Sequence, residues 1–407
     1  MSDTISNIVI IGAGHCGGQL ATRLRAEGFE GTIKLVGAET HLPYQRPPLS
    51  KQYLAGAVDL DRVLLRPATH YEEQRIDVLL GTRVEAVHVQ SKDIQLTGGE
   101  RVPYDRLVMT TGSKVRKLNV PGAELDGIHY LRTVEDCDSI RERLSEGLQL
   151  AVVGGGYIGL EVAAVAAGRG ANVTVLEMDG RVMSRVAAPE VSAFYEARHA
   201  QHGVDVRTGV RVEGFEGESK VTGVVCAGAA TVPADAVVVG IGIAANDDLA
   251  AAAGLSVDDG IVVDEYGQTS DPDVYAAGDC TRHPNAIYGR SVRLESVHNA
   301  MAQAKAVAAN LCTKPTPYAE TPWFWSDQYD LKLQIAGLSE GYDRTVLRGS
   351  PDDGAFSVLY LKDGVLVAGD SVGSMQDHLA LRALIARQAN IDPDRLADPS
   401  TPLKSLT

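Results

Sequence analysis

Cysteine is scarce in this chain of 407 residues, and the five present (Cys16, Cys137, Cys226, Cys280 and Cys312) lie far apart. There is no Cys-x-x-Cys and no even-numbered framework, which excludes a disulfide-stapled scaffold and a cysteine-ligated metal site. Reduced, mostly buried thiols are the expectation, with no bound metal. Long apolar runs are also missing, so no membrane-spanning helix is expected. The chain passes from Met1-Ser2-Asp3 to Ile8-Val9-Ile10-Ile11 without a basic, cleavable leader, and a cytoplasmic location follows as the expectation. Positive charge is short, with 38 Lys and Arg against 53 Asp and Glu, for a net charge of −15. Such a chain repels a phosphate backbone, so nucleic acid is not an expected partner. Only 17 residues are proline, while 44% are hydrophobic and 22% charged, which excludes disordered and fibrous classes.

Glycine is what the chain has in surplus: 42 residues, against a typical usage of ~7%. At about 150 residues per domain, the length predicts two or three domains. Two stretches share one pattern. The first is Asn7-Ile8-Val9-Ile10-Ile11, then Gly12-Ala13-Gly14-His15-Cys16-Gly17, a helical run through Leu20, Ala21 and Leu24, and Ile33-Lys34-Leu35-Val36. The second is Leu150-Ala151-Val152-Val153, then Gly154-Gly155-Gly156-Tyr157-Ile158-Gly159, a helical run, and Val173-Thr174-Val175-Leu176-Glu177. Each reads strand, glycine turn, helix, strand, which is the context that turns Gly-x-Gly-x-x-Gly into a dinucleotide fingerprint. The first glycine permits the turn, the second admits a pyrophosphate, and the third lets helix and strand approach. Two copies imply two nucleotides, one tightly held and one exchangeable.

The acid that meets the ribose differs between the copies. Glu177 closes the second unit's strand and would accept from ribose hydroxyls while repelling a 2′-phosphate, which favours NADH over NADPH. Arg181 nearby weighs the other way. In the first copy Ala38 stands where an acid is expected and Glu39 is the nearest substitute; either could meet the ribose. Further strand-and-glycine segments end at Thr111-Gly112, at Gly240-Ile241-Gly242 and at Ala277-Gly278-Asp279. The fold class expected is α/β: two Rossmann-like dinucleotide-binding domains, the second inserted in the first, and a C-terminal α+β domain. The predicted boundaries are 1–113 with 238–312, then 114–237, then 313–407, where the texture turns aromatic and alternating.

Six separated motifs carry a family resemblance: Arg46-Pro47-Pro48-Leu49-Ser50-Lys51, Tyr130-Leu131-Arg132-Thr133, Gly154 to Glu161, Ala277 to Cys280, Arg293 to Val297, and Trp323 to Gln328 followed by Gly337 to Arg344. The chain resembles the two-dinucleotide-binding flavoproteins that include glutathione reductase, and among them the oxygenase-coupled NADH–ferredoxin reductases. The resemblance implies FAD and NADH as cofactors. It implies an FAD site built from Gly12, Gly14, His15, Cys16, Gly17, Ala38 or Glu39, Arg46, Lys51, Val84, Thr111, Gly112, Arg132, Asp279 and Val297. Trp325 would wall the flavin or fill the core. Gly154, Gly156, Tyr157, Ile158, Gly159, Glu177, Arg185 and Gly242 would bind NADH. The chain departs from the pattern at Ala38, where relatives carry Asp, and at His298, where they carry Pro.

By the same resemblance Lys51 lies at the reactive edge of the flavin, and Glu161, on the helix after the second turn, is its expected partner. These two are the candidate catalytic residues. Disulfide-reducing relatives carry a cysteine pair on the first helix, and here that region offers only Cys16. The implied acceptor is therefore a one-electron carrier, a [2Fe–2S] ferredoxin serving a haem-thiolate monooxygenase or a ring-hydroxylating oxygenase. Arg66 and Lys305 are the candidate docking cations, and the protein is expected to be a monomer or weak dimer. The alternatives are a rubredoxin reductase, an NADH oxidase, or a redox sensor resembling apoptosis-inducing factor.

Overall fold

The computed structural model describes residues 5–406. They form two compact units: residues up to Gln45 with Leu60–Lys114 and Ala244–Pro322, and Arg46–Asp59 with Val115–Ile243 and the chain from Trp323 onward.

The first unit is built on a five-stranded sheet in the order Val274–Ala276, Arg106–Met109, Asn7–Ile11, Thr32–Val36, Ile76–Leu79. All of its pairs are parallel. Alternate side chains of the central strand enter different cores, as the two-residue repeat of a strand requires. Ile8 and Ile10 pack with Leu20 and Leu24 of the helix His15–Ala26 and with Ala304 and Val307 of Val297–Leu311. Val9 and Ile11 pack with Val87, Ile94 and Leu96 of a three-stranded antiparallel sheet. A strand covered on both faces reads as an unbroken apolar run, which is what Ile8 to Ile11 shows.

The second unit repeats the design with a parallel sheet in the order Asp205–Arg207, Asn172–Leu176, Gln149–Val153, Ala236–Val239, Ile128–Tyr130. Ala236–Val239 pairs along its length with Leu150–Val153. The boundary expected at 237/238 therefore falls inside a strand, and this unit runs to Ile243.

The segment Arg46–Asp59, expected in the first domain, also belongs here. Arg46 donates to the Arg132 carbonyl at 2.6 Å, Cys137 Sγ to that of Leu49 at 3.1 Å, and Arg169 to that of Leu54 at 3.3 Å.

The C-terminal region joins the second unit rather than standing apart. Its antiparallel sheet runs Trp323–Gln328, Leu331–Gly337, Val365–Val372, Ala355–Lys362, Arg344–Ser350. Helix Met375–Ala386 covers one face, with Leu381 so close that a Cβ on Gly369 would lie 2.7 Å from it. The other face meets helices Tyr157–Gly168 and Pro189–Gln201, where Phe194 and Phe356 stand edge to face at 5.1 Å. With both faces covered, Ala355–Lys362 has six consecutive buried positions instead of the expected alternation. Among the described residues no helix is long and apolar enough to cross a membrane.

Candidate functional site

In the first unit, Gly12 lies at φ +108°, and a Cβ there would sit 2.3 Å from the Thr110 carbonyl oxygen. Gly17 brings the helix so near the turn that its Cβ would lie 2.0 Å from the Gly12 oxygen. The helix begins after Gly14 with no side-chain cap and no acid in its first turn. Its leading amides are thus unclaimed by side chains and carry the positive end of the helix dipole, as a phosphate site requires.

The second unit repeats these features. Gly154 lies at φ +106°, where a Cβ would sit 2.4 Å from the Gly240 oxygen, and a Cβ on Gly159 would sit 2.1 Å from the Gly154 oxygen. A Cβ on Gly156 would meet nothing within 4 Å, so the face where a pyrophosphate would lie is open. Its helix likewise has no side-chain cap and no first-turn acid. Both turns fit a dinucleotide phosphate.

Other candidates in the first unit are placed as follows. Ala38 is exposed, and Glu39 is half-buried and accepts from the Tyr44 hydroxyl. Thr111 donates to the Asn246 carbonyl at 2.6 Å, and Gly112 takes φ +65°. Asp279 accepts from Ser113 Oγ at 3.1 Å. His15 and Val297 open their helices, the second capped by Ser296, and Val84 opens the three-stranded sheet. His298 Nε2 lies 3.8 Å from Glu320. Arg66 and Lys305 are both exposed, and Lys305 lies in the field of Glu27, an acid also held by Lys314.

All five cysteines are free, and all but Cys312 are buried. Burial pushes the Cys16 thiol well above its ordinary range, with Cys280 and Asp279 adding to the effect, and burial also raises Cys280. Neither is a nucleophilic thiolate at neutral pH.

In the second unit, Glu177 folds back on its own turn. One carboxylate oxygen accepts from the Gly155 amide at 2.6 Å and the other from the Asp179 amide at 2.8 Å. Arg181 points away from that turn, donating to the Ala187 carbonyl and Ser192 Oγ, both at 2.7 Å. Ile158 and Arg185 are exposed and Tyr157 half-buried. Gly242, at φ +101°, accepts from the Arg116 amide at 2.9 Å. Arg132 donates its own amide to Asp136 at 3.0 Å. Trp325 is half-buried, with its ring 5.5 Å from that of Trp323.

Lys51 and Glu161 come together: Nζ lies 2.6 Å from Oε2, with the glutamate side chain only 2% exposed. Two hydroxyls missed by sequence reasoning complete the carboxylate's shell. Ser50 donates to Oε2 at 2.5 Å and Ser326 to Oε1 at 2.6 Å. A buried ion pair is tolerable when further hydrogen bonds support its charge, and here each carboxylate oxygen has a hydroxyl donor. Ser50 could have been found beside Lys51 in its motif; Ser326 lies inside the Trp323–Gln328 motif, but nothing in that motif points to Glu161. A second buried carboxylate, Asp370, was also missed. It accepts from the Tyr360 hydroxyl at 2.5 Å, and burial pushes it up to about 7.

Two glycine turns with helix N-termini unclaimed by side chains fit two dinucleotides, and a lysine–carboxylate pair is buried beside the second. Residues 6–304 match the pyridine nucleotide-disulphide oxidoreductase family and residues 323–407 the reductase C-terminal family. The chain belongs to the pyridine nucleotide-disulphide oxidoreductase family and is an FAD- and NAD(H)-dependent oxidoreductase.

Putidaredoxin reductase CamA of Pseudomonas putida is 46% identical over 406 residues, covering 98% of this chain and 96% of that protein. The 5,5'-dehydrodivanillate O-demethylase ferredoxin reductase subunit of Sphingobium sp. (strain NBRC 103272 / SYK-6) is 46% identical, with 98% of each chain covered. Among solved structures, the covalent putidaredoxin reductase–putidaredoxin complex matches with a TM-score of 0.96 and 46% identity over 98% of each chain.

Proposed function

We propose that this protein passes electrons from NADH through FAD, singly, to a [2Fe–2S] ferredoxin that serves a haem-thiolate monooxygenase or a ring-hydroxylating oxygenase. The observation that carries the reading is the satisfied Lys51–Glu161 pair in a chain whose buried cysteines form no reactive dithiol. FAD, when bound, would supply the redox chemistry, hydride acceptance from NADH and release of single electrons.

The chain's own residues bind and position. The Gly12–Gly17 turn receives the FAD pyrophosphate and the Gly154–Gly159 turn that of NADH. Glu177 selects the ribose, while Glu161 holds the Lys51 ammonium ready to balance the negative charge that reduction adds. The acceptor is recognised by surface charge, for which Arg66 and Lys305 are the candidates. A cytoplasmic location and a monomeric or weakly dimeric state belong to the same proposal.

The test is anaerobic titration with NADH followed by purified [2Fe–2S] ferredoxins, with cytochrome c reduction as the turnover readout. Rapid flavin bleaching and reoxidation by at least one ferredoxin is the expected result. A bleached, long-lived complex that no ferredoxin reoxidises overturns the reading in favour of a sensor; reoxidation only by rubredoxin or dioxygen overturns it in favour of those acceptors. Charge reversal at Arg66 and Lys305 should slow ferredoxin reduction and flatten its salt dependence, and unchanged rates would remove these two residues from the docking surface.

A further inference from the structure

A line of polar side chains begins where the Lys51–Glu161 pair ends. Ser326 Oγ, which donates to Glu161 at 2.6 Å, accepts from Gln328 Nε2 at 3.1 Å. Gln328 Oε1 meets His199 Nε2 at 2.9 Å, and His199 Nδ1 meets the Tyr329 hydroxyl at 2.9 Å. Ser326, Gln328 and His199 are at most 1% exposed. Tyr329 is half-buried and stacks at 3.8 Å on the exposed His202, so the line runs from a buried ion pair to the surface of this unit.

The direction of every bond follows from one charge. Glu161, paired with the Lys51 ammonium, is a carboxylate and can only accept. Ser326 must therefore donate to it and offers its lone pair to the Gln328 amide group. That leaves the Gln328 oxygen as an acceptor, so His199 must carry its proton on Nε2. Nδ1 is then an acceptor, and the Tyr329 hydroxyl must donate. Aligned bonds of this kind polarise and strengthen one another.

We propose that Ser326, Gln328, His199 and Tyr329 form a one-way hydrogen-bond relay of positioning residues, acting through Glu161 to fix where the Lys51 ammonium sits. The relay rests on the role proposed above for Lys51 and Glu161. Two observations outside the bonds agree with it. Burial depresses the His199 basicity, with the Gln328 hydrogen bond opposing, which keeps the ring neutral as the relay requires; Arg198, held by Asp330 at 2.6 Å, and the His202 ring are the titratable neighbours on its helix side. Tyr329 sits at φ +57° in the turn between two strands, a conformation that costs a bulky residue and would suit Asn or Gly. The strain accompanies the placement that delivers its hydroxyl to His199.

The experiment uses the FAD-loaded protein labelled with nitrogen-15 histidine, with His199 assigned by its loss in His199→Asn. Long-range proton–nitrogen spectra of the wild type should show a neutral ring with the proton on Nε2. In Tyr329→Phe the Nδ1 resonance should move while the tautomer holds, and in Ser326→Ala the Gln328 amide is released and the ring should become a tautomer mixture. Ser326→Thr, which keeps the hydroxyl, should restore the wild-type pattern. In parallel, Ser326→Ala and Gln328→Leu should slow flavin reduction by NADH roughly tenfold, the scale of one bond to a charged group, and shift its pH profile while leaving the KM for NADH in place.

A wild-type ring protonated on Nδ1 overturns the relay, and so does a tautomer indifferent to Ser326→Ala. If the tautomers respond but no ferredoxin is reduced, the functional reading fails and the relay stands. If ferredoxin is reduced but neither tautomer nor pH profile responds, the relay fails alone.

Discussion

The two glycine turns share one backbone conformation and differ in the helices behind them. Gly12 and Gly154 take φ +108° and +106°, and Gly17 and Gly159 approach the turn oxygen to within 2.0 and 2.1 Å of a Cβ position. After the third glycine the helices part. The first buries Leu20, Ala21 and Leu24 in an apolar cluster, with Gln19 half-buried at the position that Glu161 occupies in the second. The second buries that glutamate and meets the charge with Lys51, Ser50 and Ser326. The turns are made of backbone and are interchangeable; the buried charge on the helix behind the second is what distinguishes the two units.

The largest effects should come from breaking the shared part. Gly17→Ala and Gly159→Ala each drive a methyl into a backbone carbonyl that cannot retreat, at a cost above about 4 kcal/mol, in the exceptional tail of single substitutions. Gly17→Ala should purify without flavin absorbance. Gly159→Ala should keep more flavin than Gly17→Ala and lose its reduction by NADH. Gly156→Ala separates ligand from fold, because its Cβ meets open space: thermal stability should hold while NADH affinity falls roughly tenfold. Identical flavin content in all three variants would erase the distinction between the turns.

A smaller effect comes from Asp370, the second buried carboxylate behind the second turn. It lies in the field of Tyr157, the first residue of that helix, and its Oδ1 has no hydrogen-bond partner. Its ordinary value of 3.8 is raised to about 7 by burial, with the Tyr360 hydrogen bond opposing. Below pH 4 folded and unfolded chains both hold the proton, and there is no penalty. As pH rises from 4 to 7 the unfolded chain releases it first, so stability falls, and the loss is complete above the folded value. Asp370→Asn should therefore match the wild type near pH 4 and exceed it near pH 8 by a few kcal/mol, since each tenfold weakening of the acid costs about 1.4 kcal/mol. Denaturant midpoints at the two pH values measure this, and a variant less stable at pH 8 would show that the carboxylate is held charged.

The turns were legible in the sequence because their constraints are local: a positive φ or a missing Cβ leaves a glycine at a fixed spacing. Lys51 and Glu161 were legible through their motifs. The boundary at 237/238 was not, since Ala236-Val237-Val238-Val239 is an apolar run that suits a central strand of either sheet, and only its register with Leu150–Val153 decides. The attachment of Arg46–Asp59 depends on hydrogen bonds to carbonyls from distant segments, which composition does not record. The partners of Ser326, Gln328, His199 and Asp370 were invisible for a related reason, although Ser326 and Gln328 lie inside a motif. Ser326 and Gln328 meet Glu161 and His199 only when the C-terminal sheet is laid against two helices, and Asp370 meets Tyr360 only when two strands of that sheet pair.

The smallest effects should distinguish the two acids beyond the turns. Glu177 spends its carboxylate on the Gly155 and Asp179 amides and so shapes the turn, and in the proposed function the same charge would face a ribose; Arg181 is engaged elsewhere. Glu177→Ala should lower kcat/KM for NADH about tenfold, one charge-assisted bond, and narrow the preference over NADPH by removing the repulsion. Glu39 is tied to the Tyr44 hydroxyl in its own unit, beside an exposed Ala38. Its replacement by Gln keeps an acceptor for that hydroxyl, so FAD retention should change by less than about 1 kcal/mol. Steady-state kinetics with both nucleotides and flavin release under dilution measure the pair. If Glu39→Gln sheds its flavin while Glu177→Ala keeps its nucleotide preference, the first acid and not the second is the one that reads a ribose.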